Sequence, residues 1–243
     1  MKTIAVVYPH IATLDWLAAS IASHRRKASG RIEICVVDMT WPEAEHRRVR
    51  EALKGIADQT VWLRVNPARY HHAEALEIAL PLVASVAVQD VIVISDSDVL
   101  MLRQGWDTRV IELLQSHEVV SANPRGGDFA GMVEWNWMAF KRGDVVSFSG
   151  DDGLHYHDWG HHVTAHLRGG QYLFGCGQVC FPGKAAAIAG DADGPWIFHS
   201  FYATSVAVGD NRDGCLQGGL AATSGEIEMI KGRYDLLGDT GLV

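Results

Sequence analysis

Along the first 122 residues, short apolar runs alternate with longer stretches whose apolar positions recur every three or four residues. Residues 4 to 8 form an unbroken apolar run; Leu14, Leu17, Ala18 and Ile21 follow at helical spacing, and residues 32 to 37, apolar but for Glu33, read as the next strand, ending at Asp38. Thr40-Trp41-Pro42-Glu43 has the form of a capping box with an early proline, which predicts a largely polar helix to about residue 57. A third strand is expected over 61 to 65, and Ala75, Leu76, Ala79, Leu80 and Val83 lie on one face of a helix over 71 to 86. That helix leads into Val91-Ile92-Val93-Ile94, four consecutive β-branched residues that read as a parallel strand buried on both faces. Val110, Ile111, Leu113 and Leu114 mark a further helix, and residues 119 to 122 a short strand. Strands separated by helices in this way build right-handed βαβ units and a mostly parallel sheet, so the fold class is α/β.

The pattern changes near residue 123. Residues 123 to 220 are rich in Gly, Trp, His and Asp and offer one amphipathic helix, over 159 to 167. No linker and no internal repeat separates the halves, so the expected organisation is one domain over 1-243: an α/β half (1-122), an irregular half that shapes a second pocket (123-220), and a tail (221-243).

Asp96 and Asp98 stand one residue apart just past the buried strand. Open α/β sheets bind ligands in the crevice beyond the carboxyl ends of their strands, and two carboxylates there can share a hard divalent cation while leaving positions open for phosphate oxygens. An Asp-x-Asp also serves as a polar turn or helix cap, so context decides.

Composition narrows the classes. At 48% hydrophobic and 21% charged residues, the 243-residue chain is ordinary for a globular protein, which excludes disorder and fibres. A net charge of −8 argues against a nucleic-acid or membrane-surface partner. No run of 18 apolar residues exists and the opening apolar segment is too short for a signal peptide, so the expectation is a cytoplasmic protein without a transmembrane segment. Cys35, Cys176, Cys180 and Cys215 fit no zinc ribbon; Cys35 reads as a small core residue, and only Cys176 and Cys180 are close enough in sequence to raise the question of pairing. His155, His157, His161, His162 and His166 include i,i+4 pairs, but no Glu sits where a His-Glu-x-x-His hydrolase needs its base. Trp135, Trp137, Trp159 and Trp196 read first as core or lid residues, although indole faces also stack on sugars.

Taken in order, the strand ending at Asp38, the helix with His72-Ala73 and Ala75-Leu76, and Val-Ile-Ser-Asp-Ser-Asp-Val at 93 to 99 resemble the GT-A fold of nucleotide-sugar glycosyltransferases, particularly the family 2 type. Met138-Ala139-Phe140-Lys141-Arg142, His157-Asp158-Trp159-Gly160 and Trp196-Ile197-Phe198-His199 resemble later segments of that family, so the likeness spans about residues 3 to 205. Trp159 replaces the usual small residue, and the Glu-Asp pair of many inverting members is absent.

The resemblance implies a single Rossmann-like domain and a metal-dependent transferase that moves a sugar from a nucleotide-diphosphate donor, UDP-linked by preference, to an acceptor hydroxyl, by direct displacement with inversion or, as the alternative, with retention. The acceptor class, whether glycan, lipid-linked or small molecule, and the oligomeric state are not legible. Asp98, Asp96 and His199 would hold Mn2+ or Mg2+, with Asp96 also serving the ribose or a metal-bound water; imidazole suits Mn2+ better than Mg2+. Tyr8, Pro9 and Asp38 would border the nucleotide base and ribose, Ser97 the nucleotide, and Arg69 and His72 the diphosphate. Asp158, directly before the expected helix at 159 to 167, is the candidate general base, with Asp151 and Asp152 as the fallback. Two rivals remain open: a haloacid-dehalogenase-like phosphatase with Asp96 as nucleophile, and a non-catalytic nucleotide-sugar-binding protein.

Overall fold

The computed structural model describes residues 4–10, 13–40, 43–63, 89–122, 136–144, 170–179, 186–200 and 224–234. Strands β1 (Ile4–His10), β2 (Ile32–Asp38) and β4 (Val91–Ser95) pair in parallel around β1, and β3 (Gln59–Trp62) adds in parallel to β2. β1 and β4 are buried along their whole length, as expected for β-branched runs covered on both faces. Helix α1 (Leu14–Lys27) packs Leu17 and Ile21 into the same core.

The sheet is mixed rather than mostly parallel. β7 (Trp137–Lys141) joins β4 antiparallel, followed by β6 (Val119–Ala122), β8 (Gln171–Val179), β9 (Ala187–Asp191), β10 (Gly194–His199) and β5 (Val99–Met101). β5 begins four residues after β4 ends, yet among the described strands it lies six places away, at the end of the order. The sheet must therefore curl back on itself. Ser20 and Ser23 of α1 stitch the returning edge strand down: Ser20 Oγ donates to the Val99 carbonyl at 2.5 Å, and Ser23 Oγ accepts from Met101 N–H at 3.0 Å.

The amphipathic helix expected near 110 is α3 (Trp106–Leu113), and α4 (Ser224–Arg233) lies where the sequence pattern suggests only a tail. Helix α2 (Glu43–Ala52) stops about five residues short of the expected end, because the chain turns through Gly55 at φ 82°, a left-handed conformation open to glycine. β3 starts two residues before the expected strand. The β9–β10 hairpin is also glycine-dependent: a Cβ on Gly190 would collide with the Gly194 carbonyl oxygen. Asp191 anchors that hairpin on the far edge of the sheet, accepting from Trp196 Nε1 at 2.9 Å, Tyr172 Oη at 3.1 Å and Arg109 at 3.2 Å. Trp137 and Trp196 are core residues, and Cys35 is buried and unpaired. Among the described residues, no helix is long and apolar enough to cross a membrane.

The helix expected over 71 to 86 and the one over 159 to 167 fall outside the described residues, as do the histidine cluster and Cys180.

Candidate metal centre

Strand order places the site. From β1 the chain goes through α1 to β2 on one side, and it later inserts β4 on the other. The carboxyl ends of β1 and β4 lie side by side at this change of direction, the usual ligand position in open α/β sheets. Asp96 and Asp98 occupy the turn just past β4, where Val99 N–H reaches the Asp96 carbonyl at 3.3 Å. The curl of the sheet supplies the third group: β10 runs antiparallel to β5 with His199 paired to Val99, which sets the imidazole beside Asp98.

Donor atoms of Asp96, Asp98 and His199 all lie within 4.8 Å of one another. His199 Nε2 is 3.1 Å from Asp98 Oδ1 and 3.8 Å from Asp96 Oδ2. Neighbouring donors on one octahedral ion with bonds near 2.1 Å stand roughly 3 Å apart, so small side-chain movements would seat a divalent cation here. Two carboxylates and one imidazole suit Mn2+ and tolerate Mg2+. His199 Nδ1 meets the Asn136 side-chain amide at 3.1 Å. A metal-bound Nε2 requires the ring proton on Nδ1, and half a turn of the Asn136 amide presents its oxygen to that proton. Asn136 is fixed in turn by its carbonyl, which accepts from Asp96 N–H at 2.8 Å. In the sequence only a position before a strand distinguishes Asn136, which is no signal for such a role.

The other expected residues divide. Ser97 is buried and its hydroxyl pairs with Thr13 Oγ1 at 2.7 Å, clasping the acidic turn to the start of α1. Tyr8 is fully buried, its hydroxyl 2.8 Å from His24 Nδ1, so its side chain is a core group rather than a wall of the crevice; Pro9 is buried within β1. Burial pushes the Tyr8 phenol up. Asp38 does reach the carboxyl edge but is 0% exposed, and both its oxygens are taken by His10, Thr40 and His46. Burial raises its carboxyl pKa, and those hydrogen bonds outweigh the effect and hold it below the ordinary value. Arg69, His72 and Asp158 lie outside the described residues.

No family model and no curated protein matches the sequence. Solved structures with a similar chain trace include Staphylococcus aureus TarS (12% identity, TM-score 0.44, covering 58% of this chain and 28% of that one). A second is the mannosyltransferase PcManGT from Pyrobaculum calidifontis in complex with GDP-Man and Mn2+ (20%, 0.46, 58% and 45%), and a third an active-site mutant of LgtC (15%, 0.48, 73% and 74%). The chain thus spans less than half the length of the first two. At these identities and scores the likeness concerns the course of the chain alone.

Proposed function

We propose that this protein is a metal-dependent glycosyltransferase, taking a sugar from a nucleoside-diphosphate donor and passing it to an acceptor hydroxyl. One observation carries the reading: Asp96, Asp98 and His199, brought from β4 and β10, converge at the carboxyl edge of the sheet beside its topological switch point. A divalent cation held by these residues would supply the positive charge that a diphosphate leaving group needs when the glycosidic bond breaks. Asp98, the more buried carboxylate and the nearer to His199, would be the direct ligand with His199, and Asp96, the more open of the two, would serve the ion or its bound water.

The finer reading follows the sequence resemblance. Mn2+ is the preferred ion and UDP the preferred nucleotide, Arg69 and His72 would serve the diphosphate, and residues 1-122 and 123-220 of one domain would supply the donor and acceptor sides. Asp158 takes the acceptor proton as the hydroxyl displaces the diphosphate from the opposite face, which inverts the anomeric centre. A cytoplasmic location accords with nucleotide-sugar supply. Calorimetry of UDP and GDP with and without Mn2+ tests the donor half: binding should require the metal and fail in Asp98→Asn, and metal-independent binding retained in that variant would refute the role. Asp158→Asn should bind donor normally and transfer about a hundredfold more slowly.

A further inference from the structure

Asp38, expected to accept from the nucleotide base or ribose, is fully buried and both its oxygens already accept hydrogen bonds. Its Oδ1 accepts from His10 Nδ1 at 3.0 Å, Thr40 N–H at 3.1 Å and Thr40 Oγ1 at 2.6 Å, and its Oδ2 from His46 Nδ1 at 2.5 Å. His10 is fixed as the Nδ1–H tautomer, since its Nε2 accepts from Thr13 N–H at 3.3 Å. His46, which α2 presents from outside the sheet, gives its Nδ1 proton to Asp38, so its Nε2 carries a lone pair of set direction. The His46 ring stacks on Trp62 with centroids 4.5 Å apart and planes 16° from parallel. Trp62 closes β3 in register with Asp38 and is partly exposed, and its buried indole Nε1–H has no hydrogen-bond partner among the described residues. An acceptor, an unused donor and an aromatic pair therefore stand together at the carboxyl edge.

Their distance from the acidic turn decides what they fit. β4 and β3 are three strand spacings apart, roughly 14 Å at the usual separation between neighbours. That is the scale of a nucleoside diphosphate laid along the edge with its phosphates at β4. We propose that His46 and Trp62 contact the base of the donor nucleotide, and that Asp38 is a positioning residue that acts through His46 without touching the ligand. Because Nε2 accepts, the base presents an N–H to it, as uracil and guanine both do. This inference rests on the nucleotide-dependent reading of the metal centre, and the test separates the two.

Titrate the full-length protein with UDP, GDP and inorganic pyrophosphate, each with Mn2+, by calorimetry. His46→Ala should lower affinity for the better-bound nucleoside diphosphate about tenfold and leave pyrophosphate unchanged, since pyrophosphate has no base to lose. Asp38→Asn should do the same, because an amide nitrogen at the Oδ2 position donates to Nδ1 and forces the His46 proton onto Nε2. Asp98→Asn should weaken all three ligands. If the His46 variant does not fold, Trp62→Phe keeps the ring face and removes the N–H, and should cost nucleoside diphosphate a few-fold with pyrophosphate unmoved. Unchanged nucleoside diphosphate affinity in the folded variants, or equal losses for nucleotide and pyrophosphate, would overturn the role of His46 and leave the metal centre standing. Failure of the unaltered protein to bind either nucleotide would overturn both.

Discussion

Two histidines of this chain, His24 and His199, are almost equally withdrawn from water, at 0% and 6% exposure, and their surroundings are opposite. His24 lies in a sealed layer between α1 and the sheet. Its Nε2 accepts from Trp137 Nε1 at 3.2 Å, and its Nδ1 lies 2.9 Å from the Ser20 carbonyl and 2.8 Å from Tyr8 Oη. The Trp106 ring packs edge-on at 5.2 Å, and Trp106 Nε1 donates to the His24 carbonyl. Every polar atom of that imidazole is answered by a neutral partner, so the ring locks the core in register and stays uncharged. His199 faces two carboxylates instead, with Asn136 behind it. Burial alone thus does not mark a functional histidine. His199 differs by the two carboxylates it meets at the carboxyl edge of the sheet, a donor set that suits a divalent cation.

The contrast can be broken first on the sealed side. Trp106→Ala should empty a fully buried volume and destabilise the fold by about 4 kcal/mol in chemical denaturation, with no specific effect on metal affinity in the folded fraction. On the other side, Asp98→Asn should cut turnover by about 10³-fold, near 4 kcal/mol of transition-state stabilisation, at little cost in melting temperature. Loss of fold there, or loss of metal binding in Trp106→Ala, would merge the two regions into one.

Next is acid stability. Burial lowers the His24 pKa from 6.5 to about 4, against a smaller opposing effect of its bond to the Ser20 carbonyl. Between those values the unfolded chain binds the extra proton and the folded one does not, so stability rises with pH across that window. The contribution is fully present above pH 6.5 and falls by about 3 kcal/mol as pH drops toward 4. Denaturation curves from pH 4 to 7 should show this slope, and His24→Gln should have lost that share of it, whatever its absolute stability. The smallest effect is expected at the clasp between the regions: Ser97→Ala removes one buried hydrogen bond to Thr13, costing about 1 kcal/mol of stability with a modest loss of Mn2+ affinity.

The parallel half is legible in the sequence because its strands are nearly pure β-branched runs and its helices carry clean stripes; the strand at 119 to 122 is placed to the residue. β7 to β10 escape recognition as strands, since Gly, Trp and polar residues interrupt their alternation and their pairing is long-range. β5 is hidden by its three-residue length. At the site, the acidic pair can be located from its strand, whereas the meeting of His199 with Asp98 depends on a curl of the sheet that no local pattern encodes. Asp38 shows the opposite failure: its position is legible and its surroundings are not. The donors that saturate it come from a preceding strand and a following helix, chosen by packing.

Crystals grown with UDP and MnCl2, measured at the manganese absorption edge, put the central claim to the most direct test. The expected result is one anomalous peak within bonding distance, about 2.1–2.3 Å, of Asp98 and His199, adjoining Asp96 and the diphosphate. A nucleotide seated in the crevice with no metal at these three residues, or manganese bound elsewhere with the diphosphate, would contradict it.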